Sequence, residues 1–203
     1  MSNSLAEPAV RTVIDRLFTA AEGDDALLAE IAREHGEVLG SGTARQRAEL
    51  FGALYIPVSP QSGRLLYSLV RAARPATVIE FGTSFGIATL HLAAAVRDNG
   101  TGRVLSTELN PVKARQAREN LAEAGLAGVA EVIAGDALET LVAIAGPVEF
   151  VLLDGWKELY LDVLRVIEPH LAPGRWSRPM TPAHSRRSSP ITWGMSGTRP
   201  AGM

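Results

Sequence analysis

The sequence predicts an α/β protein built on a doubly wound, mostly parallel sheet, with a run of helices in front of it. From Thr77 onward, short apolar segments alternate with helical segments of roughly 10–15 residues, the pattern of strand–helix–strand units. Successive strands also end on glycine or on an acidic residue that opens the next helix. Before Thr77 the apolar periodicity is helical throughout.

Taken in order, Val10, Val13, Ile14, Leu17 and Phe18 mark a helix over 6–21. Asp24-Asp25 open a second, their charges suiting a helix N-terminus. A third is predicted from Thr43 to Ala53. Leu54-Tyr55-Ile56-Pro57-Val58 is too short and too limited by proline for a central strand. Ser59 caps and Pro60 begins a fourth helix, which stops before Pro75. Strand one is Thr77–Phe81 and its helix ends near Arg97. Asp98-Asn99-Gly100-Thr101-Gly102 then forms a turn. Strand two is Arg103–Leu109, followed by Asn110-Pro111 as cap and first position of a helix over Val112–Ala124. Strand three is Ala130–Ala134, closed by Gly135-Asp136, with a short helix to Ile144. Strand four is Val148–Leu153, and a helix follows over Glu158–Glu168. Strand five is due just after Leu171-Ala172-Pro173-Gly174.

Composition sets limits. The 203 residues are 46% hydrophobic and 21% charged, enough for one domain with its own core. The absence of cysteine excludes disulfides and thiolate metal sites. No apolar run approaches the ~18 residues of a membrane span, and no signal-peptide pattern opens the chain. A cytoplasmic protein is expected. The net charge of −2 gives no electrostatic reason for a nucleic-acid or membrane partner.

Residues at the strand ends carry the chemistry. After strand one comes Glu80-Phe81-Gly82-Thr83-Ser84-Phe85-Gly86, a glycine turn beneath a helix N-terminus. Glu108 ends strand two, Asp136 follows strand three, and Asp154 follows strand four. Ligands of open parallel sheets bind beyond those carboxyl ends. A carboxylate such as Glu108 accepts both hydroxyls of a ribose diol, and Asp136 can accept from a purine amine. Each residue alone is weak evidence, since strand ends are commonly polar and Asp154 could simply cap a helix. The four in succession carry the argument. The glycine spacing separates two cofactors. Dinucleotide binding uses Gly-x-Gly-x-x-Gly, whereas Gly82 and Gly86 are separated by three residues and preceded by an acid that would repel a diphosphate.

These segments, with Thr107-Glu108-Leu109-Asn110-Pro111, Gly135-Asp136-Ala137 and Leu152-Leu153-Asp154-Gly155-Trp156-Lys157, resemble the class I S-adenosylmethionine-dependent O-methyltransferases. The nearest group is the cation-dependent one that includes catechol and caffeoyl-CoA O-methyltransferases. The resemblance covers about Val58 to Gly174 and implies a Rossmann-like methyltransferase fold. It implies that Gly82, Thr83, Ser84, Phe85 and Gly86 hold the methionine end of S-adenosylmethionine, with Glu80 beneath the loop. Glu108 would hold the ribose, Asp136 and Ala137 would flank the adenine, and Trp156 would pack on it. Asp154 would be a Mg²⁺ ligand, and Lys157 the general base that takes the proton of a small hydroxylated, aromatic substrate. A homodimer through the N-terminal helices is likewise implied. One departure is Ala88, where many relatives place a serine that reaches the cofactor; Thr89 stands beside it.

The division expected is 1–74 helical, 75–174 cofactor core, and 175–203 an atypical tail. That tail holds five arginines and no acid, two of the three tryptophans and three of the four methionines. Residues 1–174 have 15 basic against 22 acidic side chains, a net of −7. The family's remaining metal ligands are an Asp-Asn or Asp-Asp pair ending strand five, but no acid follows Glu168. Asp154 alone is a poor Mg²⁺ site. Gly-Arg-Trp-Ser-Arg-Pro-Met-Thr can be encoded so that a reading two bases later gives a small residue, Leu, Val, two small residues, then Asp, Asn, His or Tyr, then Asp. We therefore treat 175–203 as a frameshifted tail, disordered by composition, with the C-terminal strands missing. An in-frame gene whose relatives keep these codons would sink that hypothesis. Two alternatives stand beside the enzyme: a cofactor-binding but catalytically impaired methyltransferase, and an NAD(P)-dependent oxidoreductase, which the glycine spacing disfavours.

Overall fold

Strand order is what positions the site. In the computed structural model, which describes residues 3–172, the sheet runs β3-β2-β1-β4, with β1 Thr77–Phe81, β2 Arg103–Glu108, β3 Ala130–Ala134 and β4 Phe150–Leu153. All three pairings are parallel. The chain winds outward from β1 through β2 to β3, then returns to place β4 on the other side of β1. That reversal opens a crevice beyond the ends of β1 and β4.

Period-2 alternation splits the strands between two cores. Val78, Val104, Val132 and Leu152 face the helices α1 (Pro8–Ala20), α5 (Pro60–Ala73), α6 (Ile87–Asn99) and α7 (Pro111–Glu123). Ile79, Leu105, Val151 and Leu153 face α8 (Ala137–Thr140) and α9 (Tyr160–Ile167). Right-handed crossovers require this change of face once the winding direction reverses. α6 lies between the sheet and α1 with α5, so most of its residues are buried and it has no polar stripe.

Between α1 and α5 run α2 (Asp24–Glu34), α3 (Gly36–Ser41) and α4 (Ala44–Leu50). α3 has no counterpart in the sequence reading. α4 stops at Leu50, short of the expected Ala53. Its start is fixed by a capping box in which Thr43 and Gln46 exchange backbone contacts. The expected strand two is one residue shorter, ending at Glu108. The helix over 158–168 is a 3₁₀ turn, α9, and a second 3₁₀ turn.

Strand four begins at Phe150 rather than Val148, because Val148 bonds outward. Its N–H donates to His170 O (2.7 Å), and Ala172 N–H donates to Val148 O (2.9 Å). The Val148–Leu171 bridge is parallel, so the chain enters a fifth position beside β4. The predicted strand five, the 175–203 tail and the end of the 75–174 division lie outside the described residues. Among the described residues, no helix is long and apolar enough to cross a membrane.

Ser4 and Glu7 are tied to α6 by Arg97 and Asp98. Asp98 accepts from Ser4 N–H (2.8 Å), Ser4 Oγ (2.6 Å) and the Tyr67 hydroxyl (2.6 Å). Burial first, and then Asp98, push the Tyr67 hydroxyl up to about 12. Asp98→Ala removes the acceptor of three donors and is expected to cost about 2–4 kcal/mol in chemical denaturation. In the same variant the Tyr67 titration should move down, but not fully to 10, because burial remains.

Candidate active site

A cavity of about 380 Å³ occupies the crevice beyond β1 and β4, within the size range of small-molecule and cofactor sites. Its floor is the turn after β1. Gly82 has φ +97°, and a Cβ there would lie 2.7–2.8 Å from the Asp154 carbonyl and Gly155 N. Only glycine lets the two strand ends meet so closely. A Cβ on Gly155 would in turn lie 2.6 Å from the Phe81 ring. Gly82 and Thr83 N–H both donate to Thr107 O at 3.1 Å, which locks the turn to β2.

Ser84 stands in the left-handed region at φ +50°. Its N–H donates to Glu108 Oε2 (2.7 Å), and its hydroxyl donates to Tyr55 O (2.7 Å). Glu108 Oε1 accepts from Asn110 N–H (2.9 Å), so this carboxylate bridges the first and second strand ends. Each oxygen keeps a lone pair for a ligand. Burial raises its pKa, against the lowering effects of the Asn110 N–H and the Lys113 ammonium. Asp136 caps α8 through Leu138 N–H (2.9 Å) while also lining the cavity; capping and lining coexist.

Glu80 is fully buried behind the loop. Its Oε2 accepts from Thr89 Oγ1 and Ser106 Oγ, both at 2.5 Å, and Ser106 Oγ meets Thr83 Oγ1 at 2.5 Å. Oε1 has no partner. Burial pushes Glu80 up to about 7, outweighing both hydroxyl donors. Thr89 is thus committed to Glu80, and Ile87 and Ala88 are the residues of that turn that line the cavity. Asp154 is raised well above the usual carboxylate range, by burial and then by Glu80. Lys157 lines the rim and is exposed.

The structure brings Gly82, Thr83, Ser84, Glu108, Asp136, Ala137, Asp154, Trp156 and Lys157 to one cavity. Glu80, Phe85 and Gly86 lie behind its wall. Phe85 turns into the core, its ring stacked 4.2 Å from that of Tyr55. Trp156 meets Phe51 at 5.5 Å, and the Arg47 guanidinium lies 4.9 Å from its centroid. Arg47 also pairs with Glu158.

Sequence reasoning missed the roof. The strap 51–58 crosses the cavity with Phe51, Tyr55, Ile56, Pro57 and Val58. It also missed Lys113, buried in the first turn of α7. A lysine there opposes the helix dipole, which was the available signal. Among the described residues no three His, Asp or Glu side chains converge on a possible metal position. Asp154 alone does not fit a Mg²⁺ site.

A methyltransferase-domain family model matches residues 79–176. A catechol O-methyltransferase from Mycobacterium tuberculosis (strain ATCC 25618 / H37Rv) is 41% identical over 104 residues, 51% of this chain and 46% of that protein. The chain spans about half the length of the curated relatives it matches. Cofactor-bound Rv0187 from MTB superposes with a TM-score of 0.57 at 32% identity, over 75% of this chain and 69% of that one. The O-methyltransferase TomG from Streptomyces achromogenes, solved with SAM, gives 0.57 at 27% identity, over 68% and 64%. Its sheet, its switch-point cavity and these relatives agree: the chain belongs to the S-adenosylmethionine-dependent methyltransferases, among relatives named as O-methyltransferases.

Proposed function

We propose that the protein transfers the methyl group of S-adenosylmethionine to an oxygen of a small hydroxylated, aromatic substrate. The observation that carries this reading is the meeting of Glu108, Asp136 and Asp154, from three strand ends, around one cavity floored by Gly82. Bound there, the cofactor would supply an electrophilic methyl on a sulfonium. Glu108 would accept from the ribose hydroxyls and Asp136 from the adenine amine, while Trp156 would offer its ring. Gly82, Thr83 and Ser84 would surround the methionine end, with Phe85, Gly86 and Glu80 supporting them from behind. Lys157, on the exposed rim, is the candidate to take the substrate proton. A cytoplasmic location and a homodimer through the N-terminal helices belong to the same reading, by analogy with bacterial relatives; gel filtration tests the pairing.

Calorimetry with S-adenosylhomocysteine and with NAD tests the cofactor. Micromolar binding of the first and no heat from the second is expected; the reverse would restore the oxidoreductase. A methyl-transfer assay on catechols, with and without Mg²⁺, tests turnover. The single donor Asp154 among the described residues favours one second reading, a cofactor-binding but catalytically impaired chain. Tight S-adenosylhomocysteine binding without turnover, together with a frameshift near codon 174, would establish it.

A further inference from the structure

The strap 51–58 forms no helix or strand; its first N–H groups bond backbone, and side chains of α2, α7 and the loop after β1 hold the backbone groups of Leu54, Tyr55 and Ile56. Asp24 accepts from Tyr55 N–H (3.0 Å) and Ile56 N–H (2.6 Å). Ser84 Oγ donates to Tyr55 O, and Asn110 Nδ2 donates to Ala48 O (3.0 Å) just before the strap. Lys113 Nζ donates to Leu54 O (2.6 Å) and to Ser84 Oγ (3.3 Å), with the Phe85 ring centroid 5.3 Å away. Ile56 is held at φ +46°, a region that costs a β-branched residue strain and persists only where its surroundings over-determine it. One cation and one anion therefore grip two successive peptide units, 54–55 and 55–56.

We propose that Lys113 is a positioning residue for the cofactor, the core half of a two-charge clasp that, with Asp24, closes the 51–58 strap over the cavity. The proposal rests on the cofactor reading above. Ser84 connects the two: its N–H goes to Glu108 and its hydroxyl to the strap, so Lys113 fixes the loop and the roof together. Burial lowers the Lys113 pKa, against the raising effects of Glu108 and Asp24. An ammonium kept here at the cost of desolvation is unexplained by packing alone, since an apolar side chain of equal length would fill the space more cheaply.

Lys113→Met and Lys113→Arg separate positioning from packing. Lys113→Met leaves Leu54 O without its donor and Glu108 without its counter-charge, so it should lower the melting temperature of the ligand-free protein by several degrees. It should weaken S-adenosylhomocysteine binding roughly tenfold or more, mainly through faster release, the scale of one buried charge-assisted hydrogen bond. Lys113→Arg should recover part of that loss. Chymotrypsin should cut after Phe51 or Tyr55 faster in Lys113→Met than in the parent, with or without ligand, and Asp24→Ala should reproduce this. Affinity within twofold of the parent, measured where both proteins are fully folded, overturns the proposal, as does a Lys113→Arg variant that recovers melting temperature but no affinity. If the parent binds no S-adenosylhomocysteine, the cofactor reading fails, while the proteolysis comparison still tests the clasp.

Discussion

Gly82→Ala should lower stability by about 3–5 kcal/mol and abolish measurable S-adenosylhomocysteine binding. Two costs add. A φ of +97° is a region alanine adopts only under strain, about 1–3 kcal/mol. The added Cβ then falls 2.7 Å from Gly155 N and 2.8 Å from the Asp154 carbonyl, which is backbone and cannot rotate aside. Nor can it retreat freely, because Asp154 N–H bonds Phe81 O at 2.8 Å. Overpacking of this kind typically costs another 1–3 kcal/mol. The strand ends must separate, and the floor of the cavity moves with them. Gly128→Ala is the control: nothing lies within 4 Å of its Cβ, so its urea midpoint and ligand affinity should match the parent. A Gly82→Ala protein that binds S-adenosylhomocysteine normally would mean the turn does not form the cofactor floor.

The elements from β1 to β3 could be read within one or two residues, α6 running to Asn99 rather than Arg97, because their signals are local. Asn110-Pro111 fixes where α7 starts, Gly86 and Gly100 bound α6, and apolar runs mark the strands. The strand-end acids could be read for the same reason: in a parallel sheet, topology brings them to one edge whatever the details. What could not be read depends on contacts between segments distant in sequence. The strap has no periodicity, and its shape is imposed by Asp24, Ser84 and Lys113, 29 to 59 residues away in sequence from the groups they hold. Phe85 looked like a cofactor residue from its place in the loop, but Tyr55 offers its ring a stacking partner and draws it into the core. Val148 alternates like a strand residue, yet it bonds toward His170 and Ala172, and so falls outside β4.

Glu80→Gln should remove a pH dependence of stability worth about 3 kcal/mol. The carboxyl sits at about 7 in the fold against 4.5 for the free group, with burial the main cause. Between those values the native state keeps a proton that the unfolded chain has released. Stability from this residue is therefore fully present below about 4.5 and is lost as pH rises through 7. A shift of this size corresponds to roughly 3 kcal/mol, at about 1.4 kcal/mol per pH unit. The measurement is urea unfolding of parent and variant from pH 4.5 to 8.5, where their difference cancels every titrating group not coupled to Glu80, leaving Glu80 with its neighbours Asp154 and Glu108. The parent should lose ground steadily to Glu80→Gln up to about pH 7.5 and then hold level. Gln can still accept from Thr89 and Ser106, so the hydroxyl chain to Thr83 survives the substitution. A difference that stays flat over the whole range would mean that the orphan Oε1 has a partner stabilising the ionised form. That partner would sit directly beneath the cofactor loop.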